Sequence, residues 1–348
     1  MKHSGTMVLA AAVLAAGLVA GCGKGGQQAP AATAGPAATA EAATKKITVC
    51  LLPKKKGVPY FTTCAKGAEE AARELGNVEL IYDGPTDGAP EKAASMIEKW
   101  TLQGVDVIAV SPNDPEVLAA AMKKAREKGV HVITWDADGA AGTREFFVNQ
   151  ATAKDIGYAL VDTMAKDLGE AAEGEVAIIT ATLTAANQNE WIKFMKERLP
   201  TYPKLTLVGV QPSNEDQKLA FQAAQDLMKA HPNLRGIFAI SSVAFPGSAE
   251  AIKQAGMGGK VLVTGLSTPN DMRSYVNDGT VKSVILWNTV DLGYLTVRVA
   301  DALTTGKLKS GDAMFDAGRL GQRLVAGDNV LLGHILVFTK ENIAQFDF

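Results

Sequence analysis

Short apolar runs of strand length recur along this chain, each followed by a helix-spaced segment that closes on a glycine. The first run is "ITVCLL" (Ile47 to Leu52). The helix expected after it carries Ala65, Ala68, Ala72 and Leu75 on one face and stops at Gly76, a residue suited to the left-handed turn that ends helices. The same grammar gives "VELIY" (Val78 to Tyr82) with a helix ending at Gly104, then "DVIAV" (Asp106 to Val110) with one ending at Gly129, then "HVITW" (His131 to Trp135). It resumes beyond residue 150 with "EVAIIT" (Glu175 to Thr180), "LTLVGV" (Leu205 to Val210), "GIFAI" (Gly236 to Ile240), "KVLVTGL" (Lys260 to Leu266) and "KSVILW" (Lys282 to Trp287). Here the closing glycines are Gly169, Gly256, Gly279 and Gly306. Strands that are apolar throughout, rather than alternately, are buried on both faces. With helices between them they imply an α/β fold of parallel sheets covered on both sides. At 348 residues one sheet of nine or ten strands is conceivable. Two similar lobes fit better, because a single core stops growing near this size.

The first 21 residues read as a signal segment rather than as fold. Lys2 and His3 precede an apolar run, Met7 to Ala20, which is too short to span a bilayer comfortably. It ends in "LVAGC", and small residues before Cys22 resemble the bacterial lipobox, so Cys22 is expected to carry lipid and begin the mature chain. Residues 22–45 are rich in Ala, Gly, Pro and Thr and lack any large apolar side chain, which makes them a flexible tether. The expected location is the cell envelope, tethered to a membrane in the periplasm. Export makes a disulfide between Cys50 and Cys64 chemically possible. Cys50 lies within a strand and Cys64 near a helix start, so two separate buried thiols are the favoured reading.

Several function classes lack residues to stand on. The 35 basic and 37 acidic side chains nearly cancel, and no long basic run supplies the electrostatic term of nucleic-acid binding. Of the four histidines (His3, His131, His231, His334) none has a ligand partner at metal-binding spacing. "GLSTP" (Gly265 to Pro269) lacks the second glycine of a nucleophile elbow, and "GMGGK" (Gly256 to Lys260) is neither a phosphate loop nor a dinucleotide fingerprint. No metal or cofactor is expected, and no enzymatic activity.

Parallel sheets bind ligands at the carboxyl ends of their strands, and those ends are distinctive here. They present "PKKKGVPYFTT" (Pro53 to Thr63), "SPND" (Ser111 to Asp114), Trp135 with Asp136 and Asp138, "TAANQN" (Thr184 to Asn189), "SSVAFP" (Ser241 to Pro246), "LSTPN" (Leu266 to Asn270) and "WNTVD" (Trp287 to Asp291). Aromatic rings, carboxylates, amides, hydroxyls and Lys54 together suit a sugar, whose C–H faces lie on rings while its hydroxyls donate to carboxylates and accept from amides and lysine. Individual members have plainer readings. Asp136, Asn187 and Gln188 are also helix-cap types, Trp135 is also a core type, Tyr60 and Phe61 also make a staple at a helix start, and Ser241 and Ser242 are also turn residues.

On these same motifs, together with "YDGPTD" (Tyr82 to Asp87), "VITWDAD" (Val132 to Asp138), "NQNEW" (Asn187 to Trp191), "STPNDMRSYVNDGTVK" (Ser267 to Lys282), "LWNTVDLGY" (Leu286 to Tyr294) and the final "FTKENIAQFDF", the chain resembles the periplasmic sugar-binding proteins of ABC transporters. The likeness is to the ribose-binding-like group, and within it to rhamnose-binding and autoinducer-2-binding receptors. It covers nearly everything from Lys46 to Phe348. It implies a type I periplasmic binding protein, two doubly wound α/β lobes joined by a three-crossing hinge. Crossings are expected near Asn149–Gln150, Trp287–Asn288 and Gly318–Leu324. The lobes are then residues 46–149 with 288–320, and 150–287 with 321–348. The resemblance further implies that Lys54, Tyr60, Phe61 and Asp136 belong to the first lobe's wall, that Asn187, Gln188, Ser241, Ser242 and Ser267 belong to the second, and that Trp287 sits by the hinge; Asp138 and Asn288, polar groups at the same strand ends, are further expected ligand contacts. The implied ligand is a monosaccharide, and the implied partner an ABC permease with its cytoplasmic ATPase, served by a monomer. Autoinducer-2 receptors usually carry Asp where this chain has Asn187, and Pro and Ala near Ile240 and Ser242. "SSVAFPGSAEA" looks more like the rhamnose-type branch, which favours a deoxyhexose such as rhamnose. Other expectations in play are an autoinducer-2 receptor, and a sensor that presents its closed form to a chemoreceptor or kinase. A sugar-responsive repressor shares the two-lobed core but needs an N-terminal helix-turn-helix, where this chain has its signal and tether.

Overall fold

The computed structural model describes residues 46–170 and 172–348. The expected signal segment, tether and lipidated Cys22 lie outside them. The first lobe opens with β1 (Ile47–Leu52), α1 (Pro59–Leu75), β2 (Val78–Tyr82), α2 (Pro90–Gln103), β3 (Val107–Val110), α3 (Pro115–Glu127), β4 (His131–Trp135) and β5 (Phe147–Asn149). The second contains α4 (Ala153–Leu168), β6 (Gly174–Thr180), α5 (Ala186–Arg198), β7 (Leu205–Pro212), α6 (Gln217–Ala230), β8 (Leu234–Ala239), α7 (Ala244–Gln254), β9 (Leu262–Gly265), α8 (Pro269–Asn277) and β10 (Val284–Leu286). The chain then returns through α9 (Thr289–Thr304), β11 (Met314–Asp316), β12 (Gln322–Ala326) and β13 (Asn329–Leu331), and ends beyond β14 (Leu336–Phe338).

The continuous apolar strands have a direct explanation. Along β1, Val49 and Leu51 join a cluster with Ala68 and Leu292, from α1 and α9. Cys50 and Leu52 point the other way, into a separate cluster with Ile97, Trp100, Leu118 and Met122 of α2 and α3. Apart from the half-buried Thr48, every residue of the strand is therefore in a core, and an apolar–polar alternation has no face to record. On one side of this sheet α1 and α9 approach so closely that a Cβ on Gly67 would sit 1.7 Å from the Val290 carbonyl oxygen, and one on Gly293 equally close to that of Cys64.

The first sheet has the order β11-β12-β13-β5-β4-β3-β1-β2, parallel from β13 to β2. The second has the order β7-β6-β8-β9, all parallel, with the antiparallel pair β10-β14 attached to it through a bridge from Leu266 to Ile285. Helices α4 and α5 pack together on this lobe, as do α6 and α7.

After β5 the chain enters the strands of the second sheet, and after β10 it returns to elements packed on the first. β12 and β13 belong to the first sheet, β13 pairing in parallel with β5, and β14 pairs with β10. Strands β5 and β11 to β14, three to five residues each, are too short to show a period.

Cys50 and Cys64 are separate buried thiols. Burial, with a smaller push from Glu79, raises the pKa of Cys50 to about 12.

Candidate functional site

In the first sheet the strands β4, β3 and β1 are immediate neighbours and run in the same direction. The residues just past their carboxyl ends are Asp136, Ser111 and Lys54, so sheet order alone brings the three together. Ser111 Oγ donates to Asp136 Oδ2 at 2.8 Å. Lys54 Nζ lies 3.3 Å from the same oxygen, with both side chains only 6% exposed. From the start of α1, Tyr60 Oη donates to Asp136 Oδ1 at 2.8 Å. Burial pushes the Tyr60 phenol well above its ordinary range, and the Asp136 charge adds to the effect.

Asp136 gets there through a strained turn. Its φ is 63°, and the Ala137 N–H donates back to the Trp135 carbonyl at 2.7 Å, closing a three-residue turn of the rarer, positive-φ kind. The turn separates two neighbours. Trp135 stays in the core, fully buried, with its indole N–H on the Ala109 carbonyl at 3.2 Å, while the next side chain enters the cleft.

The second lobe supplies the facing wall, again from strand ends. Past β6, Asn187 Oδ1 accepts from Lys54 Nζ at 3.2 Å, a hydrogen bond between lobes. Asn187 Nδ2 reaches the Asp136 carbonyl at 3.5 Å. Gln188 Oε1 accepts from the Thr180 hydroxyl and, at 2.7 Å, from the Ala181 N–H. Its carbonyl end is thereby fixed, which leaves the Nε2 donor for the cavity. Ser241 and Ser242 follow β8, and Ser241 Oγ also accepts from the Ala244 N–H at 3.1 Å. Trp287 follows β10, fully buried, with its N–H on Tyr60 Oη. Rings complete the lining: Phe61 stands edge-on to Tyr60 at 5.0 Å, and Trp191 of α5 lies 6.1 Å from Trp287.

Together these groups bound a cavity between the lobes. Its wall contains Lys54, Tyr60, Phe61, Asp136, Asn187, Gln188, Ser241, Ser242 and Trp287 of the expected set. Three expected residues are elsewhere. Asp138 is turned back on its own lobe, where it takes Nε and Nη2 of Arg144 at 2.8 and 2.6 Å and the Thr134 hydroxyl at 2.7 Å. Ser267 is fully buried and donates to the Ser242 carbonyl at 3.0 Å. Asn288 caps α9, accepting from the Asp291 N–H at 3.2 Å. Asp138 fails for a physical reason: the turn at Asp136 sends only one of the two carboxylates into the cleft.

Outside the expected set stand Ser111, Trp191, Glu215, Ile240, Leu266 and Leu286, although the segments that hold Ser111 and Leu266 were expected at strand ends. All but Ser111 line the cavity, and Ser111 braces Asp136. Except for Trp191, which is on α5, each ends a strand or follows one closely. That shared place at the carboxyl edge was the available signal.

A buried carboxylate, a lysine, two amides, hydroxyls and aromatic rings thus converge on one cleft, an arrangement able to make several hydrogen bonds to a small polar molecule.

Known proteins carry the same architecture. The ribose import binding protein RbsB of Escherichia coli is 26% identical over 267 residues, covering 76% of this chain and 87% of its own. LsrB from Clostridium saccharobutylicum, solved with AI-2, superimposes with a TM-score of 0.81 at 28% identity, covering 87% of this chain and all of its own. A solute-binding protein of an ABC transporter from Clostridium phytofermentas, solved with L-rhamnose, gives 0.80 at 28% identity, with 86% and 98% covered. A family model described as the periplasmic binding protein domain matches residues 49–308, and the chain therefore belongs to the periplasmic binding proteins, a family of solute-binding proteins rather than enzymes.

Proposed function

We propose that this protein binds a monosaccharide between its lobes and hands it to the permease of an ABC transporter. The observation that carries the reading is the Asp136 carboxylate, held in the cleft by Tyr60, Ser111 and Lys54, with the donors of Asn187 and Gln188 facing it from the other lobe. A carboxylate so fixed accepts from vicinal hydroxyls as a charged acceptor in a dry site, and the rings of Tyr60, Phe61, Trp191 and Trp287 offer faces to C–H surfaces.

The favoured ligand is a rhamnose-like deoxyhexose or related pyranose. The lobes in this reading are residues 46–149 with 288–331, and 150–287 with 332–348. Bonds from both lobes to one ligand favour the closed form, so binding shifts the population toward it. Lipid on Cys22 anchors the protein at the membrane. A second reading, an autoinducer-2 receptor for uptake or signalling, draws on Lys54, Asp136 and Gln188, which fit both ligands. The neutral Asn187, where an acid is usual in such receptors, favours the sugar.

A thermal-shift screen of the pure protein against L-rhamnose, other monosaccharides and autoinducer-2 tests the reading, because a ligand that binds only the folded form raises the melting temperature. A shift with a sugar supports it. A shift with autoinducer-2 alone transfers the site to the second reading, and a screen without any shift removes both.

A further inference from the structure

One carboxyl in the cavity wall is not used by the arrangement above. The chain leaves β7 at Pro212, and the N–H groups of Ser213 and Asn214 fasten to the carbonyls of Thr180 and Ala181 at 2.8 and 2.6 Å. Asn214 and Glu215 then adopt left-handed backbone, with φ of 53° and 51°. Asp216 swings back to cap α6, accepting from the N–H groups of Lys218 and Leu219 at 2.7 and 3.0 Å. Two consecutive left-handed residues without glycine are a costly way to make a turn. Their effect here is that Glu215, rather than Asp216, lines the cleft. Its carbonyl oxygen is clasped from the first lobe by Lys55 Nζ at 3.0 Å, which leaves the side chain for the cavity.

The two acids of the cavity are in opposite situations. Asp136 is met by Tyr60, Ser111 and Lys54. The Glu215 carboxyl has no hydrogen-bond donor among the described residues. Burial raises its pKa; the charge of Lys54 opposes that, as does Lys55, while Asp136 reinforces it. A half-buried carboxyl in the cavity wall has acceptor lone pairs open to donors that a ligand supplies. The hydroxyls of a neutral sugar are such donors, whereas an acidic group there would meet Glu215 and Asp136 with Lys54 already engaged.

Resting on the sugar-binding reading of this cleft, we propose that Glu215 is a specificity-determining residue: it accepts hydroxyl hydrogen bonds from the ligand edge away from Asp136, and it turns away ligands that carry an acidic group at that edge.

The test is calorimetry on the full chain with L-rhamnose, D-ribose, D-galactose and autoinducer-2, carrying the tightest wild-type ligand to Glu215→Gln and Glu215→Asp. The Lys55 clasp uses a main-chain oxygen, so both variants keep it, and a melting curve verifies that each is folded. The expected result for Glu215→Gln is an affinity loss of about fivefold or more, the scale of a hydrogen bond to a charged acceptor. D-Galacturonate, competing against that ligand, is expected to displace it more readily from Glu215→Gln than from wild type or Glu215→Asp. A smaller loss in a folded Glu215→Gln, or equal displacement by galacturonate from all three, overturns the proposal for Glu215 while leaving the sugar site standing. If Glu215→Gln melts early, Glu215→Asp decides: its shorter reach must itself weaken the neutral ligand. Wild-type protein that binds none of the four probes overturns the site reading and this proposal together.

Discussion

The indole N–H of Trp287 donates to the phenol oxygen of Tyr60 at 2.9 Å, with the two rings edge-on at 6.1 Å. Trp287 sits where the chain crosses from β10 to α9, and Tyr60 opens α1 in the first lobe. The phenol passes the interaction on to Asp136 at 2.8 Å. A hinge crossing and the acid of the cleft are thus two hydrogen bonds apart.

Tyr60→Phe removes both of those bonds and leaves the buried Trp287 N–H without its acceptor. The expected cost is about 1–3 kcal/mol, read from urea unfolding. The pH dependence has a definite sign. The phenol's pKa lies above its ordinary value of 10 in the folded protein, so the folded state retains a proton that the unfolded chain gives up. Tyr60 therefore contributes stability that is whole below pH 10 and fades as the pH rises beyond it. The wild-type stability curve should fall more steeply there than that of Tyr60→Phe, and parallel curves would count against the network.

Asp136→Ala is expected to weaken sugar binding about 30- to 1,000-fold, equivalent to about 2–4 kcal/mol if two charge-assisted bonds are lost. It also leaves Lys54 buried without its counter-ion, so stability should fall by about 3 kcal/mol or more. Calorimetry and thermal unfolding measure the two effects separately. Affinity unchanged from wild type would reject the role given to this carboxylate.

Asp138→Asn serves as the neighbouring control. Asp138 grips Arg144, which also pairs with Asp328 at 2.5 Å, and none of the three lines the cavity. Binding should stay within about twofold of wild type, while stability drops by about 1 kcal/mol. A large loss of affinity would return Asp138 to the site.

Gly67→Ala and Gly293→Ala test the fold rather than the ligand. Each new methyl would collide with backbone of the opposing helix at 1.7 Å, and a carbonyl cannot rotate away as a side chain can. Either substitution should cost about 3 kcal/mol through forced separation of α1 and α9, visible as a lower urea midpoint. A wild-type midpoint in both would mean the two helices are free to move apart.

The legible part of this fold was the part with long-range regularity. β1 to β4 and β6 to β10 were expected within a few residues: double-sided burial makes the inner strands near-continuous apolar runs, and the half-exposed edge strands β2 and β7 are still rich in apolar residues between helices. β5 and β11 to β14 were missed because runs of three to five residues outside the strand–helix–glycine rhythm have no measurable period. In the site, Lys54, Asp136 and Asn187 were readable as polar groups at strand ends. Asp138 looked equivalent to Asp136, since a left-handed turn at an aspartate leaves no mark in composition. Glu215 escaped because β7 runs on to Pro212, beyond its expected end at Val210, which puts the residue reaching the cleft well past the expected strand end.

The parallel pairing of β13 with β5 also bears on how the molecule comes into being. The sheet that starts at Ile47 receives β13 only at residues 329–331, and most of the second lobe lies in the intervening length. The first sheet is therefore completed only after most of the second lobe has been laid down along the chain. Pairings between such distant partners form slowly. For a protein of the periplasm, a late-closing topology prolongs the unfolded interval in which a chain can still be threaded across a membrane.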